Sequence, residues 1–109
     1  MKQERLCTYD DLASPSATRF EIVDSSDVTH RIALIRIEDS LYAIGDTCSH
    51  ADVSLSEGTV WEDECEIECW KHGSLFSLRT GKPTTLPATQ PVAVYNIVRS
   101  GTDVMIELP

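Results

Sequence analysis

The feature that most restricts the fold is the way apolar residues alternate in short runs bounded by turn residues, almost nowhere recurring at helical spacing. Residues 5–8 can form a first strand. Tyr9-Asp10-Asp11-Leu12-Ala13 has room for one helical turn before Pro15 ends it. Arg19-Phe20-Glu21-Ile22-Val23 alternates and runs into the turn cluster Asp24-Ser25-Ser26-Asp27. The longest β-rich run is residues 30–37, where Ile32, Leu34 and Arg36 share one face and Arg31, Ala33, Ile35 and Ile37 the other, so neither face is cleanly polar. Glu38-Asp39-Ser40 reads as a hairpin turn and Leu41-Tyr42-Ala43-Ile44 as the returning strand. Residues 92–98 and 104–108 flank a second turn in which Gly101 is free to take positive φ. The pattern is that of an all-β domain, a small sandwich or barrel.

Between these β segments lies a stretch of different character, about residues 45–91. It holds three of the four cysteines, two of the three histidines, both tryptophans and three of the five prolines. Loops of this kind run on the surface and carry function. The 109 residues therefore read as one domain, a β scaffold with a loop-rich subdomain inserted in its middle. Its core is small, so a metal centre that ties loops together would add to stability.

Charge narrows the function. With 18 acidic and 9 basic residues the formal net charge is −9, which disfavours nucleic acid and anionic membranes and suits docking onto a basic patch of another protein. At 41% hydrophobic and 25% charged residues the composition is that of a soluble globular protein. No apolar run reaches signal-peptide or membrane-spanning length, so a cytoplasmic location is expected. In that compartment four cysteines read as thiols or metal ligands rather than disulfides.

Two segments carry the chemistry, Cys48-Ser49-His50 and Cys69-Trp70-Lys71-His72, with 18 residues between His50 and Cys69. Each loop offers one soft thiolate and one imidazole. Such a set binds one tetrahedral zinc ion, or a [2Fe–2S] cluster with two thiolates on one iron and two imidazoles on the other. Common zinc fingers group their cysteines in one knuckle and their histidines on a helix. Here Cys and His alternate within each loop, and no amphipathic helix is available.

These segments resemble the two ligand loops of the Rieske family, and most closely those of the stand-alone ferredoxins that serve ring-hydroxylating dioxygenases. The resemblance extends to Leu41-Tyr42-Ala43-Ile44-Gly45-Asp46 ahead of the first loop, Leu55-Ser56-Glu57-Gly58 between the loops, and Phe76-Ser77-Leu78-Arg79-Thr80-Gly81-Lys82-Pro83 after the second. Leu86-Pro87-Ala88 and Gln90-Pro91-Val92 fit the proline loop that covers the cluster. The resemblance implies a Rieske-type antiparallel β-sandwich and a [2Fe–2S] cluster, with Cys48 and Cys69 on the buried iron and His50 and His72 on the outer one. Ser74, Trp70 and Pro87 would surround it. It further implies a one-electron carrier, not itself an enzyme, between a flavin-dependent reductase and a terminal oxygenase. A monomer is expected.

Rieske proteins of quinol-oxidising complexes add a disulfide between their ligand loops; the corresponding positions here are Val53 and Lys71, which cannot form it. They also place Ser and Tyr hydroxyls near the cluster; here Ser74 remains and Phe76 stands where the Tyr would be. One fewer hydrogen bond to sulfur lowers the potential, toward the low end of the roughly −150 to +300 mV Rieske range. Alternatives are a nitrite-reductase-type small subunit, an accessory of iron–sulfur assembly, a structural zinc module and a Rieske fold without a cluster.

The remaining chemistry-bearing residues have plainer expectations. Cys65 shares a strand face with Ile67 and Cys69 and reads as a small buried hydrophobe, Cys7 as part of the core, His30 as a surface histidine. Trp61 is expected to pack the core and Trp70 to shield a cluster loop. Glu62-Asp63-Glu64, with Glu66 and Glu68, reads as a solvated turn, with an acidic docking rim as the sharper alternative.

Overall fold

The computed structural model describes residues 2–49, 53–71, 73–86 and 88–108. Nine strands are present among them: β1 (Lys2–Thr8), β2 (Ser16–Val23), β3 (Thr29–Ile37), β4 (Ser40–Gly45), β5 (Val60–Trp61), β6 (Glu66–Glu68), β7 (Leu75–Ser77), β8 (Val94–Ser100) and β9 (Asp103–Leu108). Single 3₁₀ turns occupy Tyr9–Asp11, where the sequence allowed one, and Leu55–Glu57. The structure is the all-β antiparallel fold that the alternation predicts.

Six strands pair in the order β1-β9-β8-β4-β3-β2, and β5-β6-β7 form a separate three-stranded sheet. Every pairing is antiparallel. The β3–β4 hairpin closes at Ile37↔Ser40, so Ser40 belongs to the strand and Glu38-Asp39 alone make the turn, with Glu38 at φ 53°. The β8–β9 hairpin closes at Ser100↔Asp103 with Gly101 at φ 63°, the positive φ that its turn requires. The β4–β8 junction is short, only Ala43↔Tyr95 and Ile44↔Val94. There the large sheet turns over on itself and becomes a sandwich.

Strand β3 explains its own lack of a polar face. Ile32, Ala33, Leu34 and Ile35 are all fully buried. Ile32 and Leu34 enter the sandwich core with Tyr9, Leu12, Ala43, Val104, Ile106 and Leu108. Ala33 and Ile35, on the opposite face, enter a second core with Ile44, Cys48, Leu55, Ile67, Cys69 and Phe76. The strand is thus the wall between the two cores. Each buried Leu or Ile contributes about 1.5–3 kcal/mol relative to an exposed one.

Three expectations are corrected. Cys65 is not in a strand: it ends the Glu62–Cys65 turn at φ 56°, its amide donating to the Glu62 carbonyl (3.2 Å) and its carbonyl accepting from Leu78 (3.0 Å). It is nevertheless buried, in the second core. Trp61 does not pack the core. Its cross-strand partner is Glu66 of β6, on the outer face of the small sheet, so Trp61 is 44% exposed and its indole N–H donates to Glu68 Oε1 (3.1 Å). His30 is not an ordinary surface histidine. Its side chain is 14% exposed, held between Asp24 Oδ2 at 2.8 Å and the Tyr95 hydroxyl at 3.0 Å, because the β2–β3 turn folds Asp24 back over it.

Candidate metal centre

Asp46, at the end of β4, closes the first loop. Its amide donates to the Arg31 carbonyl (2.9 Å), and its carbonyl accepts from the Leu55 amide (2.6 Å). Its carboxylate is 2% exposed, accepts from the Ser56 amide (2.9 Å) and the Ser54 hydroxyl, and faces Arg19 Nε at 3.5 Å. Inside that closure Thr47 bridges Ser54 and the Cys48 amide donates to the Val53 carbonyl (2.9 Å). The chain therefore leaves β4, presents Cys48 and returns within ten residues to the buried Leu55.

The second loop leaves β6 at Cys69. The Cys69 amide donates to the Ser74 carbonyl (2.7 Å) and the Gly73 amide to the Cys69 carbonyl (2.9 Å). This narrow loop feeds directly into β7. Trp70, next to the buried Cys69, keeps 53% of its surface open to solvent.

Residues 84–91 fasten the two loops together. The Thr84 amide donates to the Leu75 carbonyl (2.7 Å), and the Thr85 hydroxyl accepts from the Leu75 amide (2.9 Å). The fully buried Ser74 accepts the Ala88 amide at its hydroxyl oxygen (3.1 Å), and the Ser49 hydroxyl donates to the Gln90 carbonyl (2.5 Å). One segment is thus bonded to the residue after Cys48 and to the loop of Cys69. Accepting from Ala88 leaves the Ser74 hydroxyl proton to be donated elsewhere.

Of the four residues singled out as ligands, the structure brings Cys48 (4% exposed) and Cys69 (0%) into one core. His50 and His72 lie outside the described residues, as does Pro87. Among the described residues no group of three or more His, Cys, Asp or Glu gathers as a metal site. No disulfide joins any of the four cysteines. Two buried thiols on hydrogen-bonded loops, each two or three residues before a histidine in sequence, are the donor set that a mixed Cys/His cluster takes. Cys65 shares their core, and so does Phe76, fully buried, where a Tyr would need a polar partner. The sequence reading missed the part of Asp46 and Ser49 in fastening the loops. Their signal, an acid two residues ahead of a cysteine and a hydroxyl beside it, is too common to stand out.

The model of the Rieske [2Fe-2S] domain matches residues 3–96. The chain belongs to the Rieske [2Fe–2S] domain family. Membership implies a Rieske-type [2Fe–2S] cluster as resident cofactor. This Rieske domain is 41% identical over 103 residues to the 3-phenylpropionate/cinnamic acid dioxygenase ferredoxin subunit of Shigella boydii serotype 4 (strain Sb227), covering 94% of this chain and 91% of that one. Its fold superposes on the ferredoxin of carbazole 1,9a-dioxygenase from Nocardioides aromaticivorans IC177 with a TM-score of 0.88, at 37% identity and 97% of each chain. A complex of reduced oxygenase and oxidized ferredoxin in carbazole 1,9a-dioxygenase holds a chain matched at TM-score 0.84 and 33% identity, over 95% of this chain and 91% of that one.

Proposed function

We propose that this chain is the ferredoxin component of a ring-hydroxylating dioxygenase system, a one-electron carrier that takes its electron from a flavin-dependent reductase, gives it to a terminal oxygenase and transforms no substrate itself. The observation that carries this reading is similarity to dioxygenase ferredoxin subunits along nearly the whole of both chains. In this reading it acts as a monomeric single domain, with residues 45–91 as the cluster-binding part. Four cysteines with no disulfide among them suit the reducing cytoplasm. Among the described residues no helix is long and apolar enough to cross a membrane.

Cys48 and Cys69 would hold one iron and His50 and His72 the other. A Rieske cluster supplies one reversible electron at an iron that carries neutral imidazoles, which raise its potential above that of an all-thiolate cluster. The protein's own part is to keep both thiols out of solvent, to fix their loops by the bonds at Asp46, Ser74 and Ser49, and to offer a hydroxyl at Ser74. Trp70 and Pro87 would flank the site, and Trp70, which is exposed, would offer its indole to a partner docking there. Val53 and Lys71 leave the loops without a cross-linking disulfide, so hydrogen bonds carry that load.

Ligand substitution tests the assignment. Cys48→Ser or His72→Ala is expected to abolish the visible absorption of the cluster, and Cys65→Ser to retain it. Retention in the first two, or loss in the third, would transfer the ligand role. Anaerobic dithionite titration of the intact protein should take up one electron per chain, reversibly; no uptake, in protein that contains zinc, would remove electron transfer from the account.

A further inference from the structure

A line of alternating charge crosses the outer face of β2 and β3 and ends at the first loop. Arg31 Nε lies 3.6 Å from Glu21 Oε1, Glu21 Oε1 accepts from Arg19 (2.5 Å), and Arg19 Nε lies 3.5 Å from the Asp46 carboxylate. The first three members are about half exposed, Asp46 only 2%. Arg19 reaches Asp46 across a cleft of about 270 Å³ that Thr47, Val53 and Ser54 also line. The loop-closing role of Asp46 accounts for its bonds to Ser54 and Ser56, not for a guanidinium brought from another strand.

We propose that Arg19 and Asp46 form an opposed charge pair that positions the Cys48 loop and sets the potential of the cluster. The proposal rests on the reading that Cys48 is a ligand. Asp46 is two residues from Cys48 and out of solvent, where a charge acts at longer range than on the surface. Reduction adds one negative charge to the site. A fixed carboxylate opposes that charge and a fixed guanidinium favours it. Arg19 and Asp46 therefore pull the potential in opposite directions, while both hold the loop closed. Glu21 limits the freedom of Arg19 and keeps its Nε turned toward the loop. Arg19 and Asp46 are positioning residues; neither is a ligand.

The sign of the effect separates this from a purely structural role. In cluster-loaded protein, Arg19→Gln should lower the midpoint potential and shorten the half-life of the cluster severalfold. Arg19→Lys, which keeps the charge, should restore the potential. Asp46→Asn should raise the potential while also shortening the half-life. Redox titration followed by visible absorbance reads the first quantity, and bleaching in the presence of a chelator the second. Unchanged potentials in all three variants, or shifts of Arg19→Gln and Asp46→Asn in the same direction, would overturn the proposal. If Asp46→Asn accumulates no loaded protein, the Arg19→Gln and Arg19→Lys pair decides it alone, since Arg19 is itself half exposed and Asp46 keeps its hydrogen bonds from Ser54 and Ser56 when Arg19 is replaced. A wrong ligand assignment fails differently, as Cys48→Ser with its spectrum intact.

Discussion

Gly58 shows how tightly single residues constrain the second core. A Cβ placed there would lie 1.7 Å from the Glu68 carbonyl oxygen and 2.9 Å from its carbon, both backbone of β6, one residue before Cys69. Backbone cannot yield as a flexible side chain would. Gly58→Ala is expected to destabilise the protein by about 3 kcal/mol or more, the upper range of overpacking. Thermal unfolding should then start well below that of the parent protein. The Asp24–His30 pair makes a pH prediction. The hydrogen bond from His30, helped by the amides of Val28 and Ser26, holds the Asp24 carboxyl below the usual carboxylate range. A lowered native pKa contributes stability that is complete above the unfolded value near about 3.9 and is lost as pH falls through the lower native one. The Tm difference between parent and Asp24→Asn should therefore be present in full above about pH 4 and shrink as the solution is acidified below it. A difference that grew as the pH fell below about 4 would contradict the pairing.

At the scale of elements, the hydrogen-bonded segment 84–91 takes the place of the covalent link between loops that Val53 and Lys71 rule out. Ser74→Ala would leave the buried Ala88 amide without its partner, at a cost of about 1–3 kcal/mol. The same change removes a hydroxyl donor, so the potential should fall as well; chemical denaturation and redox titration read the two effects separately. These elements were unequally legible in the sequence. The strands of the sandwich were, because alternation and turn residues dictate them to within about three residues, the starts of β1 and β2 lying three residues earlier than expected. The mixed faces of β3 were visible too, but their meaning, a strand buried between two cores, needs the second sheet to be in place. Trp61 and Cys65 misled for local reasons. A two-residue strand gives too little pattern to say which face an aromatic takes, and nothing in composition marks a cysteine at φ 56°. The burial of His30 depends on an Asx turn folding Asp24 back, a contact set by tertiary placement. The loops of Cys48 and Cys69 stood out in the sequence because paired Cys and His at short spacing are rare, whereas the bonds that fix those loops join residues up to 41 positions apart.

For the whole molecule, a charge of −9 on 109 residues creates a field far from the site itself. If its partners meet it through basic patches, the association rate should fall steeply as salt rises across the physiological range, where the Debye length is about 8–10 Å. Stopped-flow oxidation of the reduced protein by a terminal oxygenase at several salt concentrations reads this, and a rate indifferent to salt would contradict it. The potential belongs to the same scale, because it decides which reductase can load the protein and which oxygenase can unload it. With Phe76 in place of a hydroxyl donor, a value toward the low end of the roughly −150 to +300 mV Rieske range is expected. A value well above zero would show that the donors around the sulfurs have been misjudged. All of this stands on the cluster and its mixed ligation. Low-temperature electron paramagnetic resonance of the purified protein, before and after dithionite, tests that most directly. The account predicts silence in the oxidised state and, on reduction, a signal with the low average g value of a cluster held by both cysteine and histidine. Silence in both states, in protein that contains zinc and no iron, would contradict it.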